Sequence, residues 1–133
     1  WFLAGRLWPG GLTLVLPKRV SLPSHLARGS TVGVRIPNHP VCLSLIKCLG
    51  RPIIGTSANL SGKANTLTAY EVKQQLGDEV DLIIDGGKCP GGDESTIVDV
   101  AGGVPVILRQ GIISQHEIEE TLKKYETEIK RQK

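Results

Sequence analysis

Two arginines and three groups of hydroxyls carry most of the chemistry open to this chain. Arg35 stands inside a strand-like stretch, Val32-Gly-Val-Arg-Ile36, where an apolar or neutral residue is the usual occupant. A guanidinium in that setting must reach an anion or bear a heavy burial cost. Arg109 repeats the arrangement at the end of Val106–Leu108, just before Gly111, and Ser95-Thr96 opens the strand expected to pair with it. The third concentration is Thr56-Ser-Ala-Asn-Leu-Ser-Gly62, with three hydroxyls, one amide and a glycine directly after a short apolar run. Hydroxyls and backbone N–H groups in such a turn can hold phosphate oxygens without a full positive charge. Loops at strand ends are also where α/β sheets keep their ligand groups. An ordinary turn has the same composition, so the expectation rests on convergence: two arginines and three hydroxyl clusters on one face.

Other chemistries are disfavoured. Cys42 and Cys48 lie six apart on one predicted helix, about 240° around it, and cannot share a metal. Cys89 sits beside Pro90 with nothing nearby placed to activate a thiol. His25, His39 and His116 are far apart, each flanking a helix start. There is no GxxxxGK[ST] loop and no GxGxxG after a strand, and the Gly-Gly-Asp-Glu-Ser segment at 91–95 lacks the strand–loop–helix setting of a phosphate cradle.

The elements that must position these residues alternate between strand and helix. Leu12–Leu16 and Thr31–Ile36 have strand composition, bounded by Pro or Gly. Pro40–Leu49 reads as a helix capped by Asn38 and stopped by Gly50. Pro52–Gly55 reads as a short strand. Thr68-Ala-Tyr-Glu71 has capping-box spacing and opens a helix to about Leu76. Val80–Ile84 reads as another strand, followed by a glycine-rich loop over 85–94. Ser95–Val100 and Pro105–Leu108 flank Ala-Gly-Gly-Val as an antiparallel hairpin. Ser114-Gln-His-Glu117 is a second capping box, opening a last helix expected to fray into a charged tail over 123–133. The implied fold is an α/β mixed twisted sheet with flanking helices, one domain over 1–122.

Charge divides this 133-residue chain unevenly. The first seventy residues hold eight basic side chains and no acid, the stretch from Glu71 to Leu122 sums to −8, and the tail returns +3. A basic half suits an anionic ligand such as a nucleotide or nucleic acid; fold-back of one half on the other would cancel the same field. The apolar runs are too short to span a membrane. No signal segment is visible, and three cysteines make no disulfide framework, so a reducing cytoplasmic setting is expected. A chain that begins at Trp1 and contains no Met is expected to be a processed or partial product.

Five segments in order resemble the signatures of the YrdC family, which comprises the threonylcarbamoyl-AMP synthases. They are Trp8-Pro-Gly-Gly-Leu-Thr13, Val32-Gly-Val-Arg-Ile-Pro-Asn-His-Pro40, Pro52-Ile-Ile-Gly-Thr-Ser-Ala-Asn-Leu-Ser-Gly62, Glu94-Ser-Thr-Ile-Val-Asp99 and Leu108-Arg-Gln-Gly111. Gly11 and Gln110 stand where the family usually or often has Pro. The family's N-terminal portion, with a Thr-containing opening strand and a basic nucleotide segment, has no counterpart here, so the resemblance implies an N-terminally incomplete YrdC/RibB-like domain with little activity by itself.

The resemblance implies a reaction in which L-threonine, bicarbonate and ATP with Mg²⁺ give threonylcarbamoyl-adenylate and pyrophosphate. That product feeds N6-threonylcarbamoyladenosine formation in tRNA through downstream threonylcarbamoyltransferase enzymes, with tRNA itself a potential partner. By motif position, Thr31, Ser57, Asn65 and Arg109 would contact ATP, Arg35 would pair with the threonine carboxylate, and Gly55 and Ser95 would line the amino-acid site. No general base or nucleophile stands out, which suits chemistry run by positioning and charge neutralisation. Two alternatives stay open. One is a carbamoyl-transfer domain of a hydrogenase-maturation protein. The other is an RNA-binding protein with a basic surface, although the basic half has few aromatics for base stacking.

Overall fold

The computed structural model describes residues 1–19, 21–23, 26–27, 29–90 and 94–131. His25, Arg28 and the Gly91-Gly92-Asp93 part of the glycine-rich loop lie outside them. In chain order the elements are α1 (Phe2–Leu7), β1 (Leu12–Pro17), β2 (Thr31–Val34), α2 (Pro40–Leu49), α3 (Ala69–Leu76), β3 (Thr96–Asp99), β4 (Val106–Arg109) and α4 (Gln115–Arg131). The chain divides into two units, one formed by Trp1–Pro52 with Asp93–Lys133 and the other by Ile53–Gly92.

The first unit holds a four-stranded mixed sheet in the order β2-β1-β3-β4. β1 pairs antiparallel with β2 and parallel with β3, and β3 pairs antiparallel with β4 across a bulge at Ile97/Val98. Alternation decides the faces. Leu12 and Leu14 of β1 and Thr96 and Val98 of β3 are buried on one side, while Thr13, Val15, Ile97 and Asp99 point to the other and are only half-buried. α1 and α4 bring Leu3, Ala4 and Ile118 into the same core. Full burial of Leu12, Val98 and Ile118 contributes about 1.5–3 kcal/mol each. α1 and α4 are further tied by the Phe2 and Tyr125 rings, centroids 5.0 Å apart, and by an Arg6–Glu128 ion pair at 3.1 Å.

A buried polar node closes this core. Thr96 Oγ1 donates to the Ile113 carbonyl at 2.6 Å and accepts from the Gly111 and Ile113 N–H groups, each at 3.0 Å. That fixes the Gly111–Ile113 segment before α4. A Cβ at position 111 would overlap the Glu94 backbone, so glycine is required there by close approach.

The second unit is loop-rich and organised around α3. Its capping box is complete: the Thr68 side chain accepts from the Glu71 N–H, and the Glu71 carboxylate accepts from the Thr68 N–H. Removing the cap by Thr68→Ala should destabilise α3 by about 1 kcal/mol. Amide exchange at Glu71 and Val72 should then rise roughly fivefold, with the amides of β1 and β3 unchanged.

Several sequence expectations are corrected. Pro52–Gly55 and Val80–Ile84 are not strands; Ile54 is 72% and Leu82 76% exposed. Their composition favours strands, but a strand needs a ladder partner, and among the described residues neither segment has one. β2 ends at Val34, which leaves Arg35 outside the strand and exposed. Asn38 is not the cap of α2: His39 occupies that position, without a side-chain cap hydrogen bond, and Pro40 at the first turn needs no donor there. Gly50 does end α2, at φ 63°, a left-handed conformation that suits glycine. At α4 the Ser114 hydroxyl accepts from the Glu117 N–H as expected, but the helix runs on through Arg131 across the residues read as a tail. Among the described residues no helix is long and apolar enough to cross a membrane.

Candidate functional site

Four residues of the sheet unit come to one end of its less-buried face. In the β1–β2 register Val15 faces Gly33 and Leu14 faces Val34, so Arg35 follows directly beside Thr13. On the other side of β1, Leu12 faces Thr96, which places Ser95 at the same end. Arg109 faces Ile97 from β4. Thr31 shares the parity of Arg35 but lies four residues back along the extended chain, about 13 Å away.

The contacts turn this row into a polar corner. The Thr13 hydroxyl donates to Ser95 Oγ at 2.9 Å, and Arg109 Nη2 donates to the same oxygen at 3.1 Å. Arg109 also gives Nε–H (3.1 Å) and Nη2–H (2.9 Å) to the Ser95 carbonyl, and its Nη1 closes an ion pair with Glu94. The guanidinium is thus bound into the corner, and among the described residues one of its five N–H groups has no partner. Both members of the pair are partly exposed, with side-chain accessibilities of 40% and 51%, so an incoming anion could compete for Arg109.

Arg35 is organised differently. Its Nε–H donates to the Gly10 carbonyl at 2.8 Å, while the Gly10 N–H donates to the Ile36 carbonyl at 2.8 Å. This stitches the turn after α1, which contains the cis Trp8–Pro9 bond, to the end of β2. Among the described residues the two terminal nitrogens of Arg35 make no hydrogen bond. The burial cost expected for Arg35 is therefore not incurred; an anchored guanidinium presents its outer edge to solvent. Two terminal nitrogens side by side match the two oxygens of a carboxylate.

The other expected residues belong to the second unit. Ser57 is exposed and its hydroxyl has no protein partner among the described residues; its carbonyl accepts from Thr56. Gly55 is exposed, with open space where a side chain would be. Asn65 is also exposed. The loop itself is braced by Thr66 Oγ1 donating to the Ala58 carbonyl and by Gln75, which accepts from the Leu60 N–H and donates to the Ala64 carbonyl. Asn59 Nδ2 donates to the Leu60 and Lys63 carbonyls, and its Oδ1 is buried without a partner in the described structure. Thr13, Glu94 and Asn59 were not singled out by the sequence as site residues. No three metal-ligating side chains come together among the described residues.

The Sua5/YciO/YrdC family profile, described as "Telomere recombination", matches residues 1–111. The chain belongs to the Sua5/YciO/YrdC family. Within that family it is 44% identical over 121 residues to the threonylcarbamoyl-AMP synthase of Pyrococcus abyssi, covering 90% of this chain and 36% of that protein. The Bacillus subtilis threonylcarbamoyl-AMP synthase is likewise 44% identical, over 88% of this chain and 34% of its own length. The chain therefore spans about a third of these two relatives. Among solved structures of the family, the crystal structure of P. abyssi Sua5 complexed with L-threonine superposes with a TM-score of 0.84 at 43% identity, covering 90% of this chain and 35% of that one. Escherichia coli YciO follows at a TM-score of 0.75 and 33% identity, covering 83% and 54%. The mixed sheet with flanking helices is thus the family's fold.

Proposed function

We propose that this chain is part of a threonylcarbamoyl-AMP synthase, an adenylate-forming transferase. L-threonine and bicarbonate condense to a carbamate with loss of water, and a carbamate oxygen displaces pyrophosphate at the α-phosphorus of ATP. Magnesium enters with ATP as part of the substrate. The product supplies N6-threonylcarbamoyladenosine formation in tRNA, through a downstream transferase in the cytoplasm.

The observation that carries this reading is Arg35, anchored through Nε on Gly10 and offering its outer edge beside the Thr13–Ser95 hydroxyl pair. It suits a carboxylate flanked by further polar atoms, as an amino acid provides. The L-threonine complex of the P. abyssi relative supports the assignment. Arg35 then holds the threonine carboxylate beside Ser95, and Thr31 and Arg109 serve ATP; for Gly55 at the amino-acid site and for Ser57 and Asn65 at ATP the reading rests on motif position alone. Thr31, at the start of β2, lies about 13 Å along the extended chain from Arg35, far enough for two ligands laid end to end. Positioned donors and fixed charge, with no protein nucleophile, supply the catalysis.

The test is pyrophosphate release by the gene product that carries this sequence. Turnover should require threonine, bicarbonate and ATP together; release independent of threonine would overturn the reading. In the same assay Ser57→Ala should raise the KM for ATP or lower kcat. Its melting temperature should stay within a few degrees, since an exposed turn hydroxyl is worth about 1 kcal/mol or less to stability. Unchanged activity with earlier melting would make Ser57 a turn residue only.

A further inference from the structure

We infer that Thr13 is a positioning residue for the amino-acid site, acting through Ser95; the inference rests on the function proposed above. Ser95 Oγ has two lone pairs and one proton. Arg109 can only donate, so its Nη2–H occupies one lone pair at 3.1 Å. The Thr13 hydroxyl occupies the other at 2.9 Å. With both lone pairs filled, the remaining Ser95 proton points away from the corner and can serve only an acceptor. Ser95 is thereby a one-way donor, suited to a ligand oxygen and unsuited to an ammonium group. Arg35, the residue after Val34, which pairs with Leu14, is likewise a donor and favours an acceptor.

The fold holds Thr13 in this orientation. Thr13 is half-buried on the central strand of the β2-β1-β3 trio. Its methyl faces Gly33 on β2, where even an added Cβ would stand at ordinary contact distance, 3.5 Å. Its hydroxyl faces β3. A β-branched side chain has little χ1 freedom, and turning Thr13 away from Ser95 would give up its hydroxyl bond. Thr13 touches no ligand in this arrangement; Ser95 does.

Isothermal titration of L-threonine and of MgATP into the gene product carrying this sequence tests the inference, with Thr13→Val, Thr13→Ser, Ser95→Ala and the Thr13→Val/Ser95→Ala double variant. Thr13→Val keeps the shape and removes the hydroxyl. It should weaken threonine roughly 3–10-fold, the value of one hydrogen bond, with ATP affinity within about twofold of the parent. Thr13→Ser should restore threonine affinity. The double variant should bind threonine no worse than Ser95→Ala alone, because Thr13 acts only through that hydroxyl. Wild-type threonine affinity in Thr13→Val, additive losses in the double variant, or equal losses of threonine and ATP unrescued by Thr13→Ser would each overturn the inference and leave the proposed function standing. If the unsubstituted protein binds ATP but no threonine, the proposed function fails and the inference falls with it.

Discussion

Replacing Thr96 by Val is expected to destabilise the sheet unit by about 2–4 kcal/mol, the largest effect of any single hydroxyl among the described residues. Thr96 is fully buried and its hydroxyl serves three backbone groups: it donates to the Ile113 carbonyl and accepts from the Gly111 and Ile113 N–H groups. Valine has the same shape, so no cavity forms. What is lost is the partner of two donors and one acceptor, and each orphaned buried group costs roughly 1–3 kcal/mol, less where the chain can relax toward water. Relaxation is limited because Gly111 is pressed against the Glu94 backbone and Ile113 is in the core. Thermal unfolding should shift down by about 10 °C or more. Thr96→Ser keeps the hydroxyl and should lose only the smaller cost of a buried methyl. A Thr96→Val protein melting with the parent would show that the Gly111–Ile113 segment is held by packing alone. The segment also begins two residues after Arg109, so its loosening should lower protection from amide exchange at Arg109 and Ser95 before the rest of the sheet opens.

Which parts of this arrangement can be read from sequence follows from the range of the interactions involved. The Thr68–Glu71 capping box and the Ser114 cap are settled within four residues, and the β3–β4 hairpin within fourteen; composition alone places them. The Thr13–Ser95 bond joins residues 82 apart, and nothing local distinguishes Thr13 from any polar residue alternating with leucines. Its signal was the even pattern of β1: three leucines on one face force Thr13 onto the other, toward the candidate site. Arg35 was found for a reason only half right. The charge was out of place for a buried strand, yet the chain leaves the ladder at Val34 and the guanidinium reaches water. Ile53-Ile54 and Leu82–Ile84 fail differently, since strand propensity describes fit to a pleated surface and supplies no partner strand. The four ordered family motifs that meet in the sheet unit are legible as motifs, whereas the hold of Ser95 and Glu94 on Arg109 is not, because it joins residues fourteen and fifteen apart through side-chain geometry that composition does not encode.

Arg35→Ala should weaken L-threonine binding roughly 10–100-fold, the equivalent of a charge-assisted hydrogen-bonded contact of about 1.5–3 kcal/mol. ATP affinity should stay within about twofold, because the nucleotide residues proposed here are other side chains. The anchoring bond from Nε to Gly10 is on an exposed residue, so its loss should cost only about 0.5–1 kcal/mol of stability and a few degrees of melting temperature. That separation lets calorimetry and melting together assign the role. Arg35→Lys supplies the sharper control. It keeps the positive charge but cannot hold the Gly10 carbonyl and a carboxylate at once, since a single ammonium replaces the anchored fork. If the carboxylate is gripped by two parallel N–H bonds, Lys should recover only a minor part of the threonine affinity. If Arg35 contributes only long-range charge, Lys should recover nearly all of it, and the recovery should vanish as salt is raised. Equal losses of threonine and ATP in Arg35→Ala would remove Arg35 from the amino-acid site. The proposed function would then lose the observation on which it stands.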